Sequence, residues 1–287
     1  MHTTILTTDT LAAHLADPDA DPRWLVVDCR FDLQNEELGR TQYLAAHVPG
    51  AVYASLAHDL AGKKTGRNGR HPLPAIEDFT ATLRRLGVKR DTQVVAYDQD
   101  AGMYASRFWW MLRYAGHDAV AVLDGGWARW TAERRAARGG DEQRAVGDFV
   151  RSPRPSWRLT ADEVAALPDS MLLVDARGPE RFEGRSEPLD RVAGHIPGAA
   201  NHYYKQNLTD AGTMLPPDSL RQQYASLLDG RSPEQVVMYC GSGVSACHNL
   251  LAMQHAGLGG ARLYPGSWSE WSADLSRPVA TGSGRTK

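Results

Sequence analysis

The chain has 287 residues, of which 42% are hydrophobic and 23% are charged, and its formal net charge is −2. At about 150 residues per domain, this length predicts two domains. The composition is typical of a folded globular protein and excludes a disordered chain. Because the charge is nearly balanced and no basic block occurs, we expect neither nucleic acid nor a membrane surface as a partner.

Two features predict a cytoplasmic protein. The N-terminus lacks the basic and apolar segments of a signal peptide, and no stretch of the sequence approaches the roughly 20 apolar residues that span a bilayer. The three cysteines, Cys29, Cys240 and Cys247, form an odd and sparse set that suits a reducing compartment. Since their spacing resembles no zinc motif, we expect no metal, and no organic cofactor is indicated either.

The sequence contains an internal repeat. Four segments recur in the same order: 26–30 as 173–177, 46–51 as 194–199, 93–98 as 235–240, and 125–127 as 266–268. A duplicated domain explains this order. We therefore predict a first domain at 1–135, a linker at 136–157 and a second domain at 158–287.

Each half alternates short apolar runs with amphipathic stretches. The runs 25–27, 94–97, 172–174 and 236–239 are rich in β-branched residues, which favours buried parallel strands. Helical apolar stripes follow the second and fourth of these runs. The predicted fold class is α/β, with two tandem domains that each contain a mainly parallel sheet flanked by helices on both faces.

Cys240 is the candidate nucleophile. It ends the predicted strand 236–239, and Gly241-Ser242-Gly243 connects it to a helix that begins near Val244. Ligands of open α/β sheets bind at the carboxyl ends of strands, and backbone N–H groups at a helix N-terminus favour an anion. A thiolate at this position is predicted to be stabilised and reactive.

The other paired residues are interpreted as structural. Cys29 ends a strand and Cys247 lies on an apolar helix stripe, so packing is the expected role of both, with a resolving-thiol role for Cys247 left open. His47 and His195 occupy equivalent positions in the two repeats, which indicates a structural turn rather than a metal ligand or a catalytic base.

The repeated Val-Asp-x-Arg and His-(Val/Ile)-Pro-Gly-Ala motifs and the Cys240–Ala246 loop resemble the tandem-domain rhodanese sulfurtransferases over roughly residues 8–280. In that family, Cys-Gly-Ser-Gly-Val loops occur in the branch that uses 3-mercaptopyruvate, and Cys-Arg-Lys-Gly-Val loops occur in the branch that uses thiosulfate. This sequence has the former. The resemblance implies a Cys240 persulfide and a silent first domain, because Asp98 occupies the position of the cysteine there.

The resemblance also implies how the donor is bound. Arg181 matches the arginine that holds the substrate carboxylate, a task that suits a bidentate guanidinium. Arg191 is the candidate for a second carboxylate-binding arginine, with Arg185 as an alternative. The loop residues expected to surround the sulfur are Gly241, Gly243, Val244 and Ser245.

A proton relay is implied by the same family. His71, in His71-Pro72-Leu73-Pro74, matches a first-domain histidine that acts with the loop serine, here Ser242, and with an aspartate. Asp59 is the best candidate for this aspartate.

The predicted activity is transfer of a sulfane sulfur from 3-mercaptopyruvate to cyanide, a small thiol or thioredoxin. Within the family, thiosulfate is the alternative donor. A cysteine phosphatase would require Cys-x5-Arg, whereas Ala246 stands six residues after Cys240. A non-catalytic sulfur-binding or scaffold module is the alternative outside enzymology.

Overall fold

The computed structural model of the chain describes residues 1–99 and 101–284, so the last three residues of the predicted second domain lie outside this range. The chain divides into two compact units. The first comprises Met1–Gly62, Pro74–Arg154 and Asp210–Met214, and the second comprises Lys63–Leu73, Pro155–Thr209 and Leu215–Lys287. The segment 63–73, which carries His71, therefore groups with the second unit although it precedes much of the first repeat. The limits 1–135 and 158–287 stay a prediction based on the repeat.

The first unit contains a five-stranded parallel sheet. Its strands are β1 (Ile5–Leu6), β2 (Trp24–Asp28), β3 (Val52–Tyr53), β4 (Gln93–Tyr97) and β5 (Val120–Leu123), in the order β1-β5-β4-β2-β3. Its helices are α1 (Thr8–Ala16), α2 (Leu38–Ala45), α3 (Ile76–Arg85), α4 (Met103–Tyr114) and α5 (Gly126–Ala132).

The second unit contains a four-stranded parallel sheet. Its strands are β6 (Leu172–Asp175), β7 (Ala200–Asn201), β8 (Val236–Tyr239) and β9 (Arg262–Leu263), in the order β7-β6-β8-β9. Its α-helices are α6 (Ala161–Ala165), α7 (Pro179–Phe182), α8 (Pro217–Leu228), α9 (Ser245–His255) and α10 (Ser267–Trp271). Short 3-10 helices lie at Pro155–Trp157, Tyr204–Asn207 and Pro233–Gln235. The predicted α/β class, with parallel sheets flanked by helices, is confirmed.

The strands β4 and β8 lie in the interior of their sheets. Val94, Val95, Val236 and Val237 are fully buried, as expected for parallel strands that are covered on both faces. Burial of each such side chain contributes on the order of 1.5–3 kcal/mol. Each of the two strands leads through a short loop into a buried helix, α4 or α9, and these loops place the candidate site.

The Val-Asp-x-Arg motifs form matching buried ion pairs. In the first unit Arg30 Nη2 lies 2.6 Å from Asp28 Oδ2, and in the second Arg177 Nη2 lies 2.7 Å from Asp175 Oδ2. Each arginine also donates to a backbone carbonyl close to the repeated histidine motif. A buried charge is tolerated when it is paired and hydrogen-bonded, so these pairs fix the same connection in both units.

The repeated histidines are buried and bonded to the backbone. His47 Nδ1 lies 2.7 Å from the carbonyl oxygen of Tyr43, and His195 Nδ1 lies 2.8 Å from that of Phe182. Among the described residues, no group of three or more His, Cys, Asp or Glu side chains is arranged to hold a metal ion. Over the same residues, no helix is both long and apolar enough to cross a bilayer.

Candidate active site

Cys240 follows β8 directly and is only 2% exposed. The loop 241–244 then leads into α9, which begins at Ser245, one residue after the predicted start. Gly243 has φ +74°, and a Cβ at this position would lie 2.3 Å from the carbonyl oxygen of Pro265, so only glycine fits. Because the N–H groups in the first turn of a helix have no intrahelical acceptor, this turn offers donors and a positive potential to an anion beside Cys240.

The short helix α10 holds the backbone of the cysteine loop. Trp268 N–H donates to the carbonyl oxygen of Cys240 at 2.9 Å, and Ser269 N–H donates to that of Gly241 at 2.9 Å. In return, Cys240 N–H donates to Ser267 Oγ at 3.1 Å. Three hydrogen bonds thus fix the peptide units on both sides of the thiol.

Ser267 was missed by the sequence analysis. It has φ +56°, a conformation that costs a non-glycine residue of the order of 1 kcal/mol. The repeat contained the signal, since the first unit has Gly126 with φ +54° at the corresponding place. A serine that replaces the glycine at such a position supplies a hydroxyl, and that hydroxyl binds the cysteine N–H.

The structure brings together two of the three predicted relay residues. His71 Nδ1 lies 2.8 Å from Ser242 Oγ, and both side chains are buried in the second unit. The third, Asp59, belongs to the first unit, where its carboxylate accepts a hydrogen bond from Ser55 N–H and pairs with Arg85. The relay role of Asp59 stays a prediction.

Two guanidinium groups lie against Gly241. A Cβ placed on Gly241 would be 2.8 Å from Nη2 of Arg70 and 3.5 Å from both Nη atoms of Arg181. The absence of a side chain at Gly241 thus leaves the space that these cations occupy. Arg181 was predicted at this site, whereas Arg70 was missed, although it immediately precedes His71 in the sequence.

Two buried carboxylates hold these arginines. Asp190 forms an ion pair with Nη1 of Arg70 and lies 3.4 Å from Nη2 of Arg181. Glu187 lies 2.7 Å from Nη2 of Arg181 and 3.0 Å from Nη1 of Arg177. The side chains of Asp190 and Glu187 are only 7% and 3% exposed, so water screens their charges weakly.

The other candidate arginines have different surroundings. Arg191 is exposed, and Nε of Arg185 lies 2.6 Å from Oε2 of Glu183 at the surface. A Cβ on Gly241 would lie closer to Arg70 and Arg181 than to either of these two residues. The binding role of Arg191 stays a prediction, and Arg70 becomes a second candidate for that role.

The other two cysteines, Cys29 and Cys247, are also buried. Burial raises the pKa of the Cys29 thiol well above its usual value, which disfavours a reactive thiolate there. Cys247 lies on α9, and its Sγ donates to the carbonyl oxygen of Gly243 at 3.3 Å. All three cysteines are in the described part of the chain, and no disulfide joins them.

Comparison with known proteins identifies the family of the chain. A rhodanese-like domain model matches residues 7–133 and 160–274. A Pseudomonas aeruginosa protein named as a probable 3-mercaptopyruvate sulfurtransferase is 45% identical over 282 residues, with 97% of this chain and 98% of the relative covered. Thiosulfate/3-mercaptopyruvate sulfurtransferase 2 of Arabidopsis thaliana is 32% identical, with 96% and 86% covered.

Solved structures lead to the same family. The structure of 3-mercaptopyruvate sulfurtransferase from Leishmania major matches with a TM-score of 0.84 and 30% identity, covering 96% of this chain and 76% of that protein. Both repeats, the Cys240 loop and these matches lead to one conclusion. The chain belongs to the rhodanese-like family.

Proposed function

We propose that this sulfurtransferase moves the sulfur of 3-mercaptopyruvate to a thiophilic acceptor through a persulfide on Cys240. One observation carries the proposal: the thiol lies at a helix N-terminus, next to a glycine on which two arginine side chains converge. A thiolate and a carboxylate therefore both have counter-charges at the same loop. The names of the relatives, among them the Pseudomonas aeruginosa protein, support the same donor.

In the first half-reaction, the donor carboxylate binds Arg181 and Arg70, and its sulfur faces Cys240. The thiolate attacks this sulfur, an S–S bond forms, and the C–S bond breaks with its electron pair passing to carbon. The resulting pyruvate enolate takes a proton at carbon and leaves as pyruvate. The N–H groups of the loop and of the first turn of α9 stabilise the persulfide anion, as an oxyanion hole stabilises oxygen.

The Ser242–His71 pair handles the proton. Its 2.8 Å hydrogen bond joins the loop that carries the thiol to an imidazole, a side chain that serves as a general acid or base in many enzymes. We propose that Ser242 Oγ passes the thiol proton of the donor towards the nascent enolate and that His71 orients this hydroxyl. A His71→Ala variant is then expected to lower kcat more than it raises KM.

In the second half-reaction, an acceptor removes the outer sulfur and restores the thiolate. Cyanide yields thiocyanate, and a thiol yields a new persulfide, which a second thiol converts to a disulfide with release of hydrogen sulfide. We propose reduced thioredoxin as a protein acceptor, which predicts faster turnover with thioredoxin than with an equal concentration of dithiothreitol. Ping-pong kinetics follow from the covalent intermediate.

Intact-mass measurement tests the proposal. Treatment of the full chain with 3-mercaptopyruvate is expected to add about 32 Da and to release one pyruvate per protein, as the covalent step requires. Cys240→Ser removes both signals, whereas Cys247→Ser, a thiol change on the following helix α9, keeps them. A mass gain that survives Cys240→Ser would contradict the proposal.

Thiosulfate is the second candidate donor. The two arginines at Gly241 keep it as a candidate, since they place guanidinium donors near the thiol where the Gly241-Ser242 loop itself has no cationic side chain. The name of the Arabidopsis thaliana relative includes both donors. Steady-state comparison of thiosulfate with 3-mercaptopyruvate separates them, and a chain inactive with both would fit the scaffold alternative.

We also propose a cytoplasmic location, in line with the three sparse cysteines, and cell fractionation tests it.

A further inference from the structure

We propose that Asp190 determines which donor charge the site prefers, by cancelling part of the positive charge at Gly241 and thereby disfavouring dianionic donors. The inference rests on the proposed function and adds a specificity-determining residue to it. Asp190 is one carboxylate that serves two arginines, because it pairs with Arg70 and lies 3.4 Å from Arg181.

The balance of charges at the site supports this role. The cations next to Gly241 are Arg70 and Arg181, and Glu187 already pairs with Arg181 at 2.7 Å. Asp190 is the carboxylate that pairs with Arg70 in the described part of the chain. With both carboxylates ionised, the four side chains have no net charge, and loss of the Asp190 charge would leave one net positive charge.

Burial strengthens the electrostatic effect of the Asp190 carboxylate. The side chain of Asp190 is 7% exposed, whereas those of Arg70 and Arg181 are 26% and 22% exposed. The carboxylate is therefore held in protein while the cations reach the accessible side of the cluster. In such a setting charges interact more strongly than in water, and a neighbouring ligand feels the change.

The arginines keep donors for a ligand while Asp190 is paired. Asp190 contacts Arg70 through Nη1, whereas Nη2 of Arg70 lies 2.8 Å from the position that a Cβ on Gly241 would occupy. A donor carboxylate can thus bind the arginines beside Asp190, without displacing it. Removal of the Asp190 charge therefore changes the electrostatic potential at the site, while the guanidinium N–H donors of Arg70 and Arg181 stay available to a ligand.

Donors of different charge respond differently to this potential. Because Coulomb energy scales with charge, thiosulfate, a dianion, gains twice as much as 3-mercaptopyruvate, a monoanion, from one added positive charge. At a separation of about 5 Å and an effective dielectric constant of about 40, this difference corresponds to about a tenfold change in relative affinity.

The test compares the full-length wild type with Asp190→Asn, Asp190→Glu and Glu183→Gln. Glu183 is the matched control, since it is a carboxylate paired with Arg185 in the same segment. With cyanide as acceptor, we expect Asp190→Asn to raise the ratio of kcat/KM for thiosulfate to kcat/KM for 3-mercaptopyruvate about tenfold, and to steepen the salt dependence for thiosulfate. Asp190→Glu and Glu183→Gln are expected to keep the wild-type ratio.

A binding measurement makes the test independent of turnover. In the Cys240→Ser background, calorimetry with sulfate and with pyruvate is expected to show that Asp190→Asn strengthens sulfate binding about tenfold more than pyruvate binding. An unchanged ratio in both assays, or equal losses for both anions, would overturn the role of Asp190. Failure of the proposed function is recognised separately, because the wild type would then form no Cys240 persulfide and release no pyruvate.

Discussion

The two units contain the same strand–loop–helix element with a different side chain at its centre. In the first unit, Asp98 follows β4, and its carboxylate accepts hydrogen bonds from the N–H groups of Gly102 at 2.9 Å, Tyr104 at 2.7 Å and Ala105 at 3.2 Å. In the second unit, Cys240 follows β8 at the corresponding place. In both, the next short helix, α5 or α10, donates two N–H groups to the loop backbone.

This difference shows what the loop is suited to bind. In the first unit the N–H groups at the start of α4 donate to the carboxylate of Asp98, so they already have an acceptor within the chain. In the second unit a thiol stands there, and the corresponding N–H groups can stabilise a sulfur anion brought by a substrate. The comparison supports a silent first unit and an active second one, and variants at four positions test how the two units differ.

The largest effect is expected from making the second unit resemble the first. Cys240→Asp removes the nucleophile and places a carboxylate where Asp98 has one. We expect sulfur transfer to fall by at least about a thousandfold, with no mass gain on donor treatment. The readouts are thiocyanate release and intact mass.

The same variant also has a stability signature. Since the new carboxylate can accept the N–H groups at the start of α9, we expect its melting temperature to stay within about 3 °C of the wild type. Cys240→Ala, which removes the thiol without adding an anion, is the control. A strong destabilisation confined to Cys240→Asp would show that the two loops are not equivalent.

Removal of the Asp98 carboxylate tests how much its hydrogen bonds stabilise the first unit. Asp98→Ala leaves three backbone N–H groups without their carboxylate, and we expect it to lower the free energy of unfolding by about 2 kcal/mol. Denaturant unfolding measures this loss. Because we expect the first unit to be silent, kcat should change less than about twofold for the folded fraction. A large loss of kcat would give Asp98 a part in catalysis.

A smaller effect is expected at Ser267, where the units again differ. Ser267→Gly introduces the residue of the first unit, relieves the positive φ and removes the hydrogen bond to Cys240 N–H. These two effects on stability oppose each other, so we expect a net change below about 1 kcal/mol. We expect kcat/KM to fall about three- to tenfold as the loop loses its position.

Ser267→Ala separates the two contributions. It removes the hydroxyl and keeps the strained backbone, so it should lose activity like Ser267→Gly and be less stable than that variant. Equal activity of the wild type and both variants in steady-state assays would mean that the hydroxyl does not position Cys240.

The smallest effect concerns pH and a buried histidine of the second unit. His202 lies seven residues after His195, where the first unit has Ala54 after His47, and its Nε2 lies 3.0 Å from Oδ1 of Asn207. Burial lowers the pKa of His202 below its usual 6.5. The unfolded chain therefore binds this proton first, and the unfolding free energy decreases as the pH falls from about 6.5 through the lowered pKa.

The variant His202→Gln tests this linkage. It keeps an amide that can donate to Asn207 and removes the titrating group, so the dependence of unfolding free energy on pH should become flatter below about pH 6.5. Urea unfolding at a series of pH values measures the slope. An unchanged slope would assign the acid sensitivity to other histidines, such as His117, whose pKa burial also lowers.

Much of the architecture and the nucleophile could be predicted from the sequence. The apolar runs that form β4 and β8 are continuous in the sequence and rich in β-branched residues, so the sequence alone suffices to identify them. The repeat equated Asp98 with Cys240 without any coordinates, and the glycines after Cys240 indicated a loop that leads into a helix N-terminus. The fold class and the duplication are confirmed, and each of these inferences depends on residues that are close together along the chain or on a match between two stretches.

The surroundings of Gly241 could not be predicted in this way. Arg70 and Asp190 are separated by 120 positions, and no local pattern relates the charge of one to the other. The bond from Cys240 to Ser267 likewise spans 27 positions and depends on a backbone conformation that serine rarely adopts. By itself the sequence determined the fold class and the duplication, because these follow from periodicity and from a match between two stretches, and it predicted the reactive thiol from residue chemistry. Only the tertiary structure decided which charges surround that thiol, because the closure of the chain sets the distances between remote side chains.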